Sequence, residues 1–189
     1  MDPEVARQAA IALGRWGTGA AVTMLMQRLK AVGTTIELEI EIVRALGWIG
    51  TAKALEALGH SLTLDHPSDR SILLSQEIVN ILGRVTPDLK AAAAAILISG
   101  LQSNTPSFQH PRIRQLAALA LGQLGAIQGL EPLIQLLADA DLGVRLHTIT
   151  ALKQVGTPET IYQQLQAHLA AVNLSAALHQ GITEALKEW

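Results

Sequence analysis

The sequence predicts an all-α solenoid of about five and a half two-helix repeats. Three observations carry that reading. A leucine recurs at Leu13, Leu46, Leu82, Leu121, Leu152 and Leu186, at spacings of 33, 36, 39, 31 and 34 residues. Each period holds two separate stretches of helical periodicity rather than one. The 49% apolar content is mostly Ala and Leu, with aromatic residues at 3%. That composition suits thin helices stacked closely, each unit touching its neighbours, instead of one aromatic-filled globular centre.

Three columns counted from the leucine set the first helix of each repeat. Eight positions earlier stand Val5, Leu38, Leu74, Ile113, Val144 and Leu178, all apolar. One position earlier stand Ala12, Ala45, Ile81, Ala120, Ala151 and Ala185, mostly small, so a neighbouring helix can come close. Three positions later stand Trp16, Ile49, Val85, Leu124, Val155 and Trp189. These intervals fall on one helical face, which predicts Trp16 and Trp189 in the core.

Glycine at Gly17, Gly50, Gly125 and Gly156 then stops the helix, with Thr86 in the third repeat. Thr86-Pro87-Asp88 and Thr157-Pro158-Glu159 read as starts of second helices. Threonine can cap, proline fits the first turn, and the carboxylate favours the positive end of the dipole. The second helices keep an apolar column at Val22, Leu55, Ala91, Leu130 and Ile161.

Two connectors, 62–70 and 101–111, are longer and rich in turn residues, and they account for the spacings of 36 and 39. The repeats then span about 2–33, 34–66, 67–106, 107–139 and 140–171, with a half repeat at 172–189. Both ends fall inside repeats rather than in polar capping helices. The chain therefore reads as part of a longer solenoid or as one whose ends pack on something, end-to-end self-association included.

The best-formed repeat runs from His110-Pro111-Arg112-Ile113-Arg114 through Ala120-Leu121-Gly122 to Gly125, followed by Asp141-Leu142-Gly143-Val144-Arg145. This pattern resembles HEAT repeats, specifically the short HEAT-like type named after phycobilisome (bilin) lyases. The family's Asp-x-x-Val-Arg start is complete at Asp141 to Arg145 and partial at His110 to Arg114. It is lost where Glu39 and Ser75 occupy the arginine column. The resemblance covers essentially the whole chain. It implies a right-handed superhelix whose concave surface is lined by the second helices, here Arg28, Lys30, Glu56, His60, Gln135, Asp139, Gln164 and His168. Proteins with this repeat include lyase subunits, scaffolds, chaperone-like factors and regulatory subunits, so fold alone does not select among them.

Composition narrows the function classes. With 14 basic against 16 acidic residues and a net charge of -2, the chain lacks the basic stripe of a nucleic-acid binder. The apolar run from Ala91 to Leu101 is shorter than a membrane span requires. The start Met1-Asp2-Pro3-Glu4 is acidic and polar, unlike a signal peptide. There is no cysteine, which excludes disulfides, thiolate zinc sites and thiol catalysis and fits a cytoplasmic location.

His60, His66, His110, His147, His168 and His179 are scattered, without the helical pairing of a zinc site. No glycine-rich stretch ends in a phosphate-loop Gly-Lys-Ser/Thr. Glu37 and Glu41 share a helix face, and Asp139 and Asp141 lie in a turn. Both sets read as solvated surface rather than a positioned carboxylate pair. No cofactor is expected.

The candidate contact residues are Arg15, Trp48, Arg84 and Phe108. Trp48 stands two positions after its leucine, where other repeats carry Arg15, Arg84, Gln123 and Gln154. That column is otherwise polar, so Trp48 either faces solvent between two arginines as a binding hot spot or folds back over the core edge. Phe108, in the long connector, is either an exposed contact or tucked beneath its own loop. The expected function is a non-enzymatic protein-binding scaffold or adaptor, without nucleic-acid or membrane partners. The alternative, resting on the resemblance, is a bilin lyase subunit or chaperone-like bilin carrier acting with a second subunit.

Overall fold

The computed structural model describes residues 2–62, 69–103, 105–171 and 173–189. Among them are twelve α-helices and no strand. Successive helix pairs are α1 (Pro3–Trp16) with α2 (Gly19–Leu29), α3 (Ile36–Ile49) with α4 (Ala52–Leu62), and α5 (Asp69–Leu82) with α6 (Lys90–Gln102). A short α7 (Pro106–Gln109) leads into α8 (Pro111–Leu124) and α9 (Leu130–Leu136). Then come α10 (Leu142–Val155), α11 (Pro158–Leu169) and α12 (Ala176–Ala185). Helices α1, α3, α5, α8 and α10 pack in succession as one layer, and α2, α4, α6 and α9 as a second. The fold is an all-α solenoid.

Local chemistry sets the helix ends. Side chains of Asp2, Thr18, Thr35, Asp141, Thr157 and Ser175 accept hydrogen bonds from the first-turn backbone of α1, α2, α3, α10, α11 and α12. Gly17, Gly50 and Gly125 end their helices at φ of 69°, 56° and 62°, left-handed values that glycine adopts without a steric cost. Thr86 differs from its expected role. It makes no capping bond and introduces a 3-10 turn, Pro87–Leu89, ahead of α6. Leu89 fills the core there, and Ala91, expected in the buried column, is exposed. The connector over 63–68 lies outside the described residues, as does Asn104 in the second connector.

The core is one stripe along the stack. Leu46, Leu82, Leu121 and Leu152 are fully buried, each joined to its neighbours through residues such as Ile42, Ile78, Ile113 and Leu133. The small-residue columns explain the spacing of the first layer. Gly14 backs onto Ala45, and Gly122 onto Ala151, so tightly that a methyl on either glycine would come 2.9 Å from the facing α-carbon. Gly83 meets Ala120 in the same way. At Gly47 the facing residue is Ile81, and the contact is with its side chain instead of backbone.

One aromatic assignment changes, at Trp16, while Trp189 packs against the core as expected. Trp16, expected in the core, is 68% exposed, and Val5 in its companion column is 59% exposed. Among the described residues α1 has a first-layer neighbour, α3, on one side only, so the outer half of its apolar surface stays uncovered. Trp189 is half-buried, with Lys153 Nζ 5.5 Å from its ring centroid. This is the one cation–π contact among the described residues, and it lies far along the chain from Trp48.

Candidate functional site: the groove beside Trp48

Trp48 sits in the last turn of α3, just before the left-handed Gly50. Its indole is 57% exposed, and Arg15, Arg84, Gln123 and Gln154 in the same column are exposed as well. The column therefore runs along the surface, and the indole does not fold back over the core. Phe108 is elsewhere. Its ring is 3% exposed and packs directly on Gly100, so it fills the space beneath its own connector instead of standing out from it.

Trp48 forms one wall of a groove of about 610 Å³ between α3 and α5. Glu41, Arg44 and Gly47 continue that wall, Glu77, Ile81, Arg84 and Val85 form the other, and Leu55 and Leu89 lie deeper. Ile81 stands at the back of this opening, against Gly47. Alanine faces Gly14, Gly83 and Gly122 at the other first-layer joints, whereas the branched side chain of Ile81 stands between Gly47 and its own helix.

One ion pair crosses the groove, Arg44 Nε donating to Glu77 Oε1 at 2.7 Å. The Glu77 hydrogen bond raises the Arg44 guanidinium above its ordinary value, against the opposing effect of burial. Glu41 stands 4.0 Å from Arg44. Arg84 has no ion-pair partner among the described residues, so its charge is free to meet a carboxylate. The groove is thus apolar at its base, carries an aromatic edge, and has one spare cation at its rim.

The surface of the second layer is more mixed. A groove of about 370 Å³ between α2 and α4 is lined by Met26, Lys30, Lys53, Glu56 and His60. A second of about 490 Å³, between α4 and α6, shares Glu56 and His60 with it. His168, expected on this surface, pairs through Nε2 with Glu131 at 2.8 Å. Burial works against protonation of His168, but the Gln164 carbonyl and the Glu131 carboxylate together hold its imidazole above the ordinary value. Asp139 is not part of an open surface. Both its oxygens accept from Arg114, at 2.6 and 3.0 Å, and its side chain is 8% exposed.

That pair was not foreseen from the sequence, although the arginine column held the signal. Arg114 also donates to the backbone carbonyls of Phe108 and Gln109. Arg145 repeats the arrangement on the carbonyls of Asp139 and Ala140. The arginine of each well-formed repeat thus ties down the turn that precedes its own helix. Ser75, in the same column, donates instead to Ser107 at 3.0 Å.

Among the described residues no group of three His, Asp or Glu side chains could hold a metal ion, and no helix is long and apolar enough to cross a membrane. The comparison with curated proteins gives no match. Among solved structures, the chain is similar to the complex of CpcE and CpcF of phycocyanin lyase from Nostoc sp. PCC7120. There the identity is 21% with a TM-score of 0.52, covering 98% of this chain and 76% of that one. Two engineered proteins, Northeast Structural Genomics Consortium targets OR329 and OR366, align at 19% and 21% identity with TM-scores of 0.48 and 0.46. They cover 99% and 96% of this chain, and 91% and 90% of their own. The family model for HEAT repeats matches residues 1–76 and 95–177. With its leucine ladder, paired helices and two packed layers, the chain belongs to the HEAT repeat family.

Proposed function

We propose that the chain is a protein-binding scaffold, working in the cytoplasm, and that the α3–α5 groove is its contact site. The observation that carries this reading is Trp48, a large aromatic 57% exposed at the edge of an apolar groove, in a column that is polar in the other repeats. Tryptophan and arginine dominate binding energy at protein interfaces, where a half-open apolar slot is closed by a partner side chain. The partner chemistry that fits is a segment offering an apolar side chain to the groove and a carboxylate to Arg84, with Arg15 further along the same ridge.

The test places a photo-crosslinking amino acid at Trp48 and, as a control, at Leu146, which is 54% exposed on α10. Crosslinking in the native host from position 48 alone supports the reading. In parallel, Trp48→Ala should weaken partner binding by about 2 kcal/mol while shifting stability by less than about 0.5 kcal/mol. Equal crosslinking from both positions, or loss of stability without loss of binding, would remove the groove from consideration.

A second reading is a bilin carrier or one subunit of a bilin lyase. It draws support from the similarity to the CpcE–CpcF complex and from a groove of about 610 Å³, within the range of about 300–1,000 Å³ usual for small-molecule sites. An aromatic plate between arginines suits a tetrapyrrole with two propionates. Adding free bilin and recording its absorbance and fluorescence separates the two. A spectral shift lost in Trp48→Ala favours the carrier, and an unchanged spectrum leaves the scaffold.

A further inference from the structure

The α3–α5 groove holds two charges of opposite sign that the chain itself leaves unmatched. Arg84, exposed just past the end of α5, has no ion-pair partner among the described residues. Glu41 lines the other end of the groove. Among the described residues its carboxylate accepts no hydrogen bond, and its one charge partner is Arg44 at 4.0 Å, although its side chain is only 16% exposed. That guanidinium is already committed to Glu77 at 2.7 Å. Two carboxylates thus share one cation at the Glu41 end, and one cation lacks a carboxylate at the Arg84 end.

Contacts across the groove fix how far apart these charges lie. Arg44 meets Glu77 and Gly47 meets Ile81, so α3 and α5 run parallel, with residues 33 or 34 apart at the same level. Arg84 then stands level with Gly50, nine positions beyond Glu41, which is about 14 Å along the helix axis. A partner has to offer a cation and a carboxylate at that separation on one face.

An extended segment does so. It rises about 3.3 Å per residue and points alternate side chains the same way, so positions i and i+4 share a face and span about 13 Å. Position i+2 shares that face too, and it arrives where Gly47, Ile81 and Trp48 wall the groove. A helix fits less well. Residues nine apart on it point to opposite sides, and residues seven apart, which share a face, reach only about 10 Å. A segment charged with one sign throughout would set like against like at one end. We infer that the groove takes an extended partner segment in which a basic and an acidic side chain, four residues apart, flank an apolar one. This rests on the reading of the groove as the contact site.

Pentapeptides acetylated and amidated at their ends test the charge order on the intact chain. The opposite-charge probes are Lys-Ser-Leu-Ser-Glu and its reverse, since charge alone does not fix the chain direction. The controls are Lys-Ser-Leu-Ser-Lys, Glu-Ser-Leu-Ser-Glu and Lys-Glu-Leu-Ser-Ser, the last with its two charges adjacent. Binding is read from the Trp48 indole N–H in proton–nitrogen correlation NMR, assigned by its loss in Trp48→Phe. One opposite-charge probe should bind about tenfold more tightly than every control, through one exposed ion pair gained and one repulsion avoided. Glu41→Gln should weaken that probe about fivefold, the upper end for an exposed ion pair. Arg84→Glu should transfer the preference to Lys-Ser-Leu-Ser-Lys, with circular dichroism matching wild type. Controls that bind as tightly as the opposite-charge probes, or an Arg84→Glu variant that keeps the wild-type preference, overturn the inference and leave the groove as a site without a charge code. Probes that never move the Trp48 resonance overturn it as well, and crosslinking from position 48 then decides whether the groove is a contact site at all.

Discussion

The α8–α10 and α3–α5 junctions are built from the same repeat yet end in different states. At α8–α10 the glycine of one helix meets the alanine backbone of the next, Gly122 on Ala151, and the preceding turn is tied by the Arg114–Asp139 pair. At α3–α5 the glycine meets the side chain of Ile81, the arginine column holds Ser75, and the junction is open as a groove crossed by the more exposed Arg44–Glu77 pair. The residue before the leucine differs between the two junctions, alanine at Ala151 and isoleucine at Ile81, and so does the atom that the glycine meets. The scaffold is thus free to open at one repeat without losing the stripe of buried leucines that carries its stability.

Five exchanges probe that contrast. The largest effect belongs to Arg114→Ala, which strands the 8% exposed Asp139 carboxylate and releases the connector before α8. It should cost about 3 kcal/mol in urea unfolding, as for other enclosed ion pairs that lose one member. The matching Arg44→Ala at the open junction should cost less than about 1 kcal/mol, because both partners there remain partly in water. Equal losses would mean that the two junctions do not differ as described.

Gly122→Ala comes next, at about 2 kcal/mol, since the new methyl meets the Ala151 α-carbon at 2.9 Å, which cannot move aside as the Gln154 amide can. Gly47→Ala should cost less, because the Ile81 methyl it meets can rotate away. Ile81→Ala should destabilise by roughly 1 kcal/mol for the lost half-buried methyl groups and let α5 move onto α3. Acrylamide quenching of Trp48 reads this movement, in a chain whose Trp16 and Trp189 are replaced by Phe, and it should slow. Unchanged quenching would mean that Ile81 does not hold the groove open.

The smallest effect concerns His168 and Glu131, which tie α11 to α9 in the second layer. The folded imidazole lies above its ordinary value. Its contribution to stability is therefore fully present below the unfolded value of about 6.5 and is lost as pH rises through the folded one. Glu131→Gln should lower the His168 midpoint in an NMR titration and flatten this dependence. A midpoint that stays in place would assign the shift to the Gln164 carbonyl alone.

The architecture was legible because it rests on periodicity. The leucine ladder, the glycine stops and the Thr157 cap are local patterns, and they match the helices observed, whereas Thr86 makes no capping bond. Exposure of the Trp48 column followed from the same logic, since five repeats vote on each position. Trp16 and Val5 misled for the complementary reason: a column average says which face is apolar, but only the number of neighbouring helices says whether that face is covered. The groove was hidden in a residue that looked like a minor variant, because Ile81 is as apolar as the alanines it replaces and differs only in volume. Arg114 and Asp139 are 25 residues apart, and the arginine column marks the donor of that bond without marking its acceptor.

The glycine–alanine ladder also sets how the molecule deforms. Joints where backbone rests on backbone have no soft element between them, and they transmit a bend or a pull as rigid units. At Gly47 and Ile81 the only spacer is a rotatable side chain beside an open groove. A stack loaded at its two ends thus meets a softer contact at Gly47 than at Gly14, where the nearest atom is the α-carbon of Ala45. The tryptophan at the rim of that recess is placed to register the tension.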